Sequence, residues 1–249
     1  MLSTGLNPEL VFDAAEELVA QNGIEALTIR ALTKATGISN GTIYRSFHSR
    51  GGLLGRTWIR AERRFLNLLS NMVADANTQS RDPSEGVHAA AETSLLYPEL
   101  YPASAALLLT VRREKVVRHP MPQETAEQLL ALNSEFTAVM SQLAIALWGR
   151  SDTAAVDLIA TCIVDLPKWI TKRGERYSSP ILREYLRAAV RSVLEVGPPS
   201  VHHSESVQAT PRRVTSDAGL GVVRVHDGAH EDACEDAYAF SGGLKGAAG

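Results

Sequence analysis

Residues 28–47, TIRALTKATGISNGTIYRSF, leave this chain few choices of local structure. Thr28 can cap a helix in which Ile29 and Leu32 point inward, and Gly37 supplies the left-handed residue that ends it. Ser39 caps a second short helix whose Ile43 and Phe47, four residues apart, face the same core. Ile38 tucks the intervening turn onto that core. Two short helices joined by a tight glycine-containing turn make a helix-turn-helix, a geometry that also serves as a hairpin packed for stability alone.

The residue types on the outer side point to DNA. Asn40, Thr42 and Arg45 project opposite Ile43 and Phe47, and they suit the donor and acceptor edges of a major groove, arginine towards guanine and asparagine towards adenine. They are the candidate base readers. The helix start at Ser39 turns N–H groups and a positive dipole end towards a phosphate. Thr28, Tyr44 and Arg50 are placed to reach phosphates on the flanks. Gly41 costs about 1 kcal/mol of helix propensity relative to alanine, so either the preceding helix or a DNA backbone is expected close to it. The whole chain carries a formal net charge of -3, which makes it no general polyanion binder. Its basic charge is local: Arg30, Lys34, Arg45, Arg50, Arg56, Arg60, Arg63 and Arg64 are opposed within residues 28–64 only by Glu62.

The pattern around this stretch is all-α. Asn7, Pro8 and Gly23 punctuate a first helix with an apolar face of Val11, Ala14, Ala15, Leu18 and Val19. Ser49 can cap a fourth helix carrying Leu54, Trp58, Phe65, Leu69 and Met72, long enough to reach residues 75–77 and bridge two domains. Further helical segments fall near 84–97, 101–118, 122–148, 151–173 and 180–196, with Pro167 expected to bend the fourth of these or end its first part. No run alternates apolar and polar residues as a strand would. After Gly197 the chain turns rich in Gly, Ser, Ala and acids and reads as a disordered tail, with VVRV near Val222 as a weaker strand candidate. The expected domains are therefore 1–50, 51–197 and 198–249.

Other chemistry finds little support. With 249 residues there is ample core, and no uninterrupted apolar run reaches the roughly 20 residues of a membrane span. The N-terminus lacks a basic segment leading into an apolar one, and two distant cysteines, Cys162 and Cys234, argue against a disulfide framework, so a cytoplasmic protein is expected. Cys162 reads as a small buried residue. His202, His203, His226, His230 and Cys234 lie in the tail without metal-ligand spacing, so no metal or other cofactor is expected. There is no Gly-rich phosphate loop and no GxSxG elbow, so the chain is read as no enzyme.

Residues 8–54 resemble the DNA-binding domain of the TetR family of bacterial transcriptional regulators. The resemblance is carried by Ala14 and Ala15, Gly23, Thr28-Ile29-Arg30, Ala35-x-Gly37-Ile38-Ser39, Gly41-x-Ile43-Tyr44-x-x-Phe47 and Ser49-Arg50-x-x-Leu53. It implies an all-helical homodimer with three N-terminal helices on a palindromic double-stranded operator and a larger helical ligand-binding and dimerisation domain behind them. Carried over by position, residues 39–46 form the recognition helix, Asn40, Thr42 and Arg45 read bases, and Thr28, Ser39, Tyr44 and Arg50 contact phosphates. The function implied is repression relieved by an unknown small molecule; a helical interaction protein regulated by a protein partner is the alternative. Two departures stand out: Thr33 where the family often has alanine, and Gly51-Gly52 where an acidic residue often follows, which suggests a looser joint between the domains.

In the body, Met72, Tyr97, Tyr101, Leu108, Phe136 and Met140 mix apolar bulk with two hydroxyls and are the candidate ligand pocket, with ordinary core as the competing reading. Arg112, Arg113 and Lys115 form a charged cluster. The resemblance assigns the dimer interface to the last two helices, where Ile159, Ile163, Leu186, Val190 and Leu194 form apolar stripes; spacing alone says only that these faces are buried against something.

Overall fold

The computed structural model describes residues 7–172 and 180–200. Among these residues every regular element is helical. The tail from residue 201, with its histidines, Cys234 and the VVRV segment, lies outside the described residues.

The N-terminal helices begin and end where local chemistry demands. Helix α1 (Pro8–Asn22) is capped by the Asn7 side chain, which accepts from the Glu9 amide at 3.1 Å, and it stops at Gly23 with φ 77°. A short 3-10 turn (Ile24–Ala26) leads to α2 (Ile29–Thr36), capped by Thr28 and ended by Gly37 at φ 71°. Ser39 caps α3 (Asn40–Phe47). These stops need positive φ, which glycine adopts without steric cost. The buried faces meet in one small core of Val11, Phe12, Ala15, Leu32, Ile43 and Phe47, with the Phe12 and Phe47 rings edge to face at 5.6 Å.

Helix α4 (Arg50–Gln79) runs unbroken from this core into the body, and α5 (Pro83–Leu100) packs along it. The expected helix over 101–118 is two: α6 (Pro102–Thr110) and the single turn α7 (Arg113–Val117), separated by extended backbone at Val111 and Arg112. Helix α8 (Gln123–Trp148) lies against α4 and α9 (Thr153–Ala160). By length and composition α8 could cross a membrane, which the uninterrupted-run criterion missed. Its Leu129, Leu132, Phe136, Met140 and Leu143 are nevertheless buried in the bundle.

Pro167 has the effect anticipated for it. Regular α geometry ends at Ala160, a π-helical turn covers Thr161–Asp165, and α10 (Leu166–Lys172) follows. Without an N–H, Pro167 cannot serve the Ile163 carbonyl four residues back. The Ser94 hydroxyl of α5 donates to that carbonyl instead, at 2.6 Å. Cys162, in the same turn, is fully buried, and burial pushes its thiol up to about 12, so it stays protonated at neutral pH.

Helix α11 (Pro180–Val196) closes the body against α5, with Arg187 pairing Glu85 and Glu92 and Arg183 pairing Glu99. Beneath these pairs His88 is buried with no hydrogen-bond partner for Nδ1. Burial, then the nearby Arg187 and Arg191, hold its pKa below the usual histidine value, while Glu85 and Asp82 pull the other way. The unfolded chain takes up this proton first as pH falls, so stability is complete above about pH 6.5 and declines below it, down to the depressed folded pKa. Urea midpoints are therefore expected to fall between pH 7.5 and pH 5.5, and His88→Gln should flatten that decline. An unchanged slope in the variant would remove His88 as its source.

Candidate nucleic-acid interface

Ser39, Asn40, Gly41, Tyr44 and Arg45 are exposed on one side of α3, while Ile43 and Phe47 anchor the other. Tyr44 is 54% exposed and places an aromatic ring with a polar tip on this outward side. Thr42 is half-buried; its hydroxyl lies 2.9 Å from that of Ser39, whose oxygen also accepts the Thr42 amide at 3.2 Å. Thr28 is exposed at the start of α2, and its hydroxyl oxygen accepts the Ala31 amide at 3.1 Å. Both cap residues thus hold helix starts in place while facing outward. A Cβ built on Gly41 would meet nothing within 4 Å, so the preceding helix is not what approaches there. Arg30 and Lys34 on α2 are exposed as well.

Arg50 does not join this face as expected. Its guanidinium turns back to donate to the Leu27 carbonyl at 2.7 Å, the Ile24 carbonyl at 2.8 Å and the Glu25 carboxylate at 3.1 Å. It clamps the turn ahead of α2 onto the start of α4. The basic surplus counted along residues 28–64 is likewise smaller in space than in sequence. Arg60 meets Glu9, Asp13 and Glu16 of α1, Arg64 meets Glu9 and Glu16, and Arg63 pairs with Glu135 of α8. Arg56 stacks over the Phe47 ring and donates to the Ser46 carbonyl. The cations left for DNA are chiefly Arg30, Lys34 and Arg45.

The joint between this domain and the body is tight, not loose. A Cβ on Gly51 would collide with the Pro120 carbonyl oxygen, and one on Gly52 with the Phe47 carbonyl oxygen. Gly55 faces Thr125 and Met121 in the same way. These glycines let the end of α3 and the segment ahead of α8 press against α4.

The six candidate pocket residues are packed as core or near-core. Leu108, Phe136 and Met140 are buried, and the Tyr97 hydroxyl donates to the Ala61 carbonyl at 2.7 Å. Its ring lies edge-on to Phe65 and 5.5 Å from Tyr101, while Met72 sulfur accepts from Thr93 at 3.3 Å. A cleft of about 380 Å³ opens elsewhere, between α1 and α4, floored by Phe12 and Ile59 and rimmed by arginines of α4. None of the six lines it.

The expected interface stripes are corrected too. Ile159, Ile163, Leu186 and Val190 are fully buried within the single chain and Leu194 is partly so, because α9 to α11 turn these faces inward on α5 and α8. The exposed large apolar side chains on α10 and α11 are Trp169, Ile181 and Tyr185, with Val196 at the very end of α11. In the body, Glu62 accepts from the Trp58 indole at 3.0 Å and lies 4.0 Å from Arg113; burial raises its pKa and Arg113 partly offsets this. Arg113, expected in a charged cluster with Arg112 and Lys115, is thus largely buried against Glu62.

Together these features define a helix-turn-helix domain of DNA-binding type, joined through one long helix to a helical body. Residues 11–57 match the model of the bacterial regulatory proteins of the tetR family, and the chain carries the DNA-binding domain of that family. The fold is similar to a TetR-family transcription regulator from Shewanella sp. PV-4 (TM-score 0.58, 13% identity, covering 78% of this chain and all 100% of that one). It is also similar to the TetR-family transcriptional regulator PfmR from Thermus thermophilus (TM-score 0.52, 17% identity, 74% and 97% covered). A protein described as superantigen PfiT has the same likeness (TM-score 0.54, 19% identity, 77% and 97% covered). At such identities the likeness concerns fold and not role. No curated protein matches the chain.

Proposed function

We propose that this chain is a cytoplasmic, sequence-specific transcriptional repressor that binds a palindromic operator as a homodimer and is released by a small molecule. The observation that carries the DNA reading is the outward face of α3, where Asn40, Tyr44 and Arg45 stand exposed on a helix anchored by Ile43 and Phe47. In this reading residues 1–50 meet the DNA, residues 51–197 form the body, and a DNA strand accounts for Gly41. Thr28, Ser39 and Tyr44 contact phosphates, while Arg50 has an architectural role. Trp169, Ile181 and Tyr185 are the apolar surface offered to a second copy, in place of the buried stripes.

A dimer on DNA needs its two recognition helices roughly 34–36 Å apart, in successive major grooves. Helix α4 touches both the DNA-binding core and the body, so a ligand favouring a different tilt of α4 would disturb that spacing. Footprinting of DNA around its own gene tests the reading: a protected two-fold site is expected, with affinity that falls steeply as salt rises. Absence of any protected site at low salt would remove the DNA function.

The two arginines should now separate cleanly. Arg45→Ala is expected to lose about 1–3 kcal/mol of discrimination at one base pair per half-site while folding normally. Arg50→Ala should leave base preference unchanged and lower stability by about 1–2 kcal/mol, since three charge-assisted bonds on a partly exposed group are lost. Binding to single-substituted operators and urea unfolding check the pair. Equal base-preference losses would contradict the assignment.

A further inference from the structure

Asn40, the first residue of α3, is exposed, yet its side chain is not loose. The Thr33 hydroxyl of α2 donates to Asn40 Oδ1 at 2.6 Å, across the turn of the helix-turn-helix. A helical threonine ordinarily returns its hydroxyl to the carbonyl one turn back. Thr36, in the same helix, does so, donating to the Leu32 carbonyl at 2.8 Å. Thr33 sends its proton to the neighbouring helix instead. Alanine at this position could not make the bond.

We infer that Thr33 is a positioning residue for base recognition, holding the Asn40 carboxamide in one orientation before DNA arrives. This rests on the DNA-reading function proposed above and deepens it. With one lone pair of Oδ1 turned back to Thr33, the outward part of the amide is Nδ2 and its two hydrogens. A donor in that position favours a base edge that presents acceptors alone in the major groove, guanine N7 and O6 or thymine O4, over the donor of cytosine and over the bidentate adenine pair expected of a free asparagine, which also needs Oδ1. Preorientation adds to discrimination, because a free amide would lose rotamer entropy on binding and could turn over to suit the wrong base.

The test uses the full chain and selection from randomised duplex DNA, with wild type, Thr33→Val, Thr33→Ser and Asn40→Ala compared. Valine keeps the shape of threonine and removes the hydroxyl; serine keeps the hydroxyl. Expected is a wild-type motif with an acceptor-edge base in the column that Asn40→Ala erases. Thr33→Val should weaken preference in that column alone, by roughly three- to tenfold, and Thr33→Ser should restore it, with thermal melting of all variants recorded alongside. A Thr33→Val motif identical to wild type in every column overturns the inference. So does a uniform loss of affinity with the motif unchanged, which would make Thr33 a packing residue only. A wild type that selects no motif points instead to failure of the DNA reading itself.

Discussion

Alanine at Gly52 is expected to destabilise this protein by about 3 kcal/mol, even though alanine is the better helix former by nearly 1 kcal/mol. The added methyl would run into the Phe47 carbonyl oxygen at the end of α3, with Pro122 Cδ only 3.0 Å away on another side. A backbone carbonyl cannot swing aside as the end of a flexible side chain would, so α3 and α4 must separate. Gly41→Ala is the matched control: it too replaces a helical glycine, but its Cβ meets nothing within 4 Å, so stability should rise by up to about 1 kcal/mol. Urea unfolding of both variants decides the matter. If Gly52→Ala is as stable as Gly41→Ala, the close approach of α3 to α4 is wrong.

Glu16→Ala should have an effect of similar size for an electrostatic reason. Glu16 is buried in α1, where Oε1 accepts from Arg60 Nε at 3.1 Å and Oε2 from the Ser104 hydroxyl at 2.6 Å. Arg60 Nη2 lies 2.9 Å from Oε2 but is poorly aligned for a hydrogen bond, so the Nε contact is the stronger one. Removing one partner of a buried ion pair typically costs about 3–5 kcal/mol, because the remaining charge stays desolvated. Here Arg60 keeps Glu9 at 2.9 Å and Asp13 at 2.8 Å, both well exposed, which reduces the expected loss to about 2–3 kcal/mol. The network joins α1, α4 and α6, so the loss should appear in unfolding of the whole chain and be smaller when Arg60 is also replaced by alanine. A drop below about 1 kcal/mol would mean that the surface acids hold Arg60 without Glu16.

Much of the recognition unit could be read residue by residue before any coordinates. Asn7, Gly23, Thr28, Gly37 and Ser39 each act within a few positions of their own place in the chain: α1 and α2 begin and end at them, and α3 begins at Ser39 but ends at His48, which takes a positive φ without being glycine. The outward placement of Asn40 and Arg45 followed from helical spacing against Ile43 and Phe47. The body was less legible. Its helices were recognisable, but several apolar faces compete for burial, and periodicity does not say which partner covers a stripe. The family resemblance places Ile159 and Leu186 against a second molecule, whereas α5, α8 and their own neighbours already enclose them.

The amino-acid sequence alone determined where the helices of the DNA-binding domain start, stop and turn, since capping bonds and left-handed glycines are short-range effects. Tertiary structure alone decided which arginines remain for DNA, why three glycines line the start of α4, and that Thr33 reaches Asn40. Each of those depends on a partner brought from another element, and a long side chain or a missing Cβ carries no local mark of what it will meet.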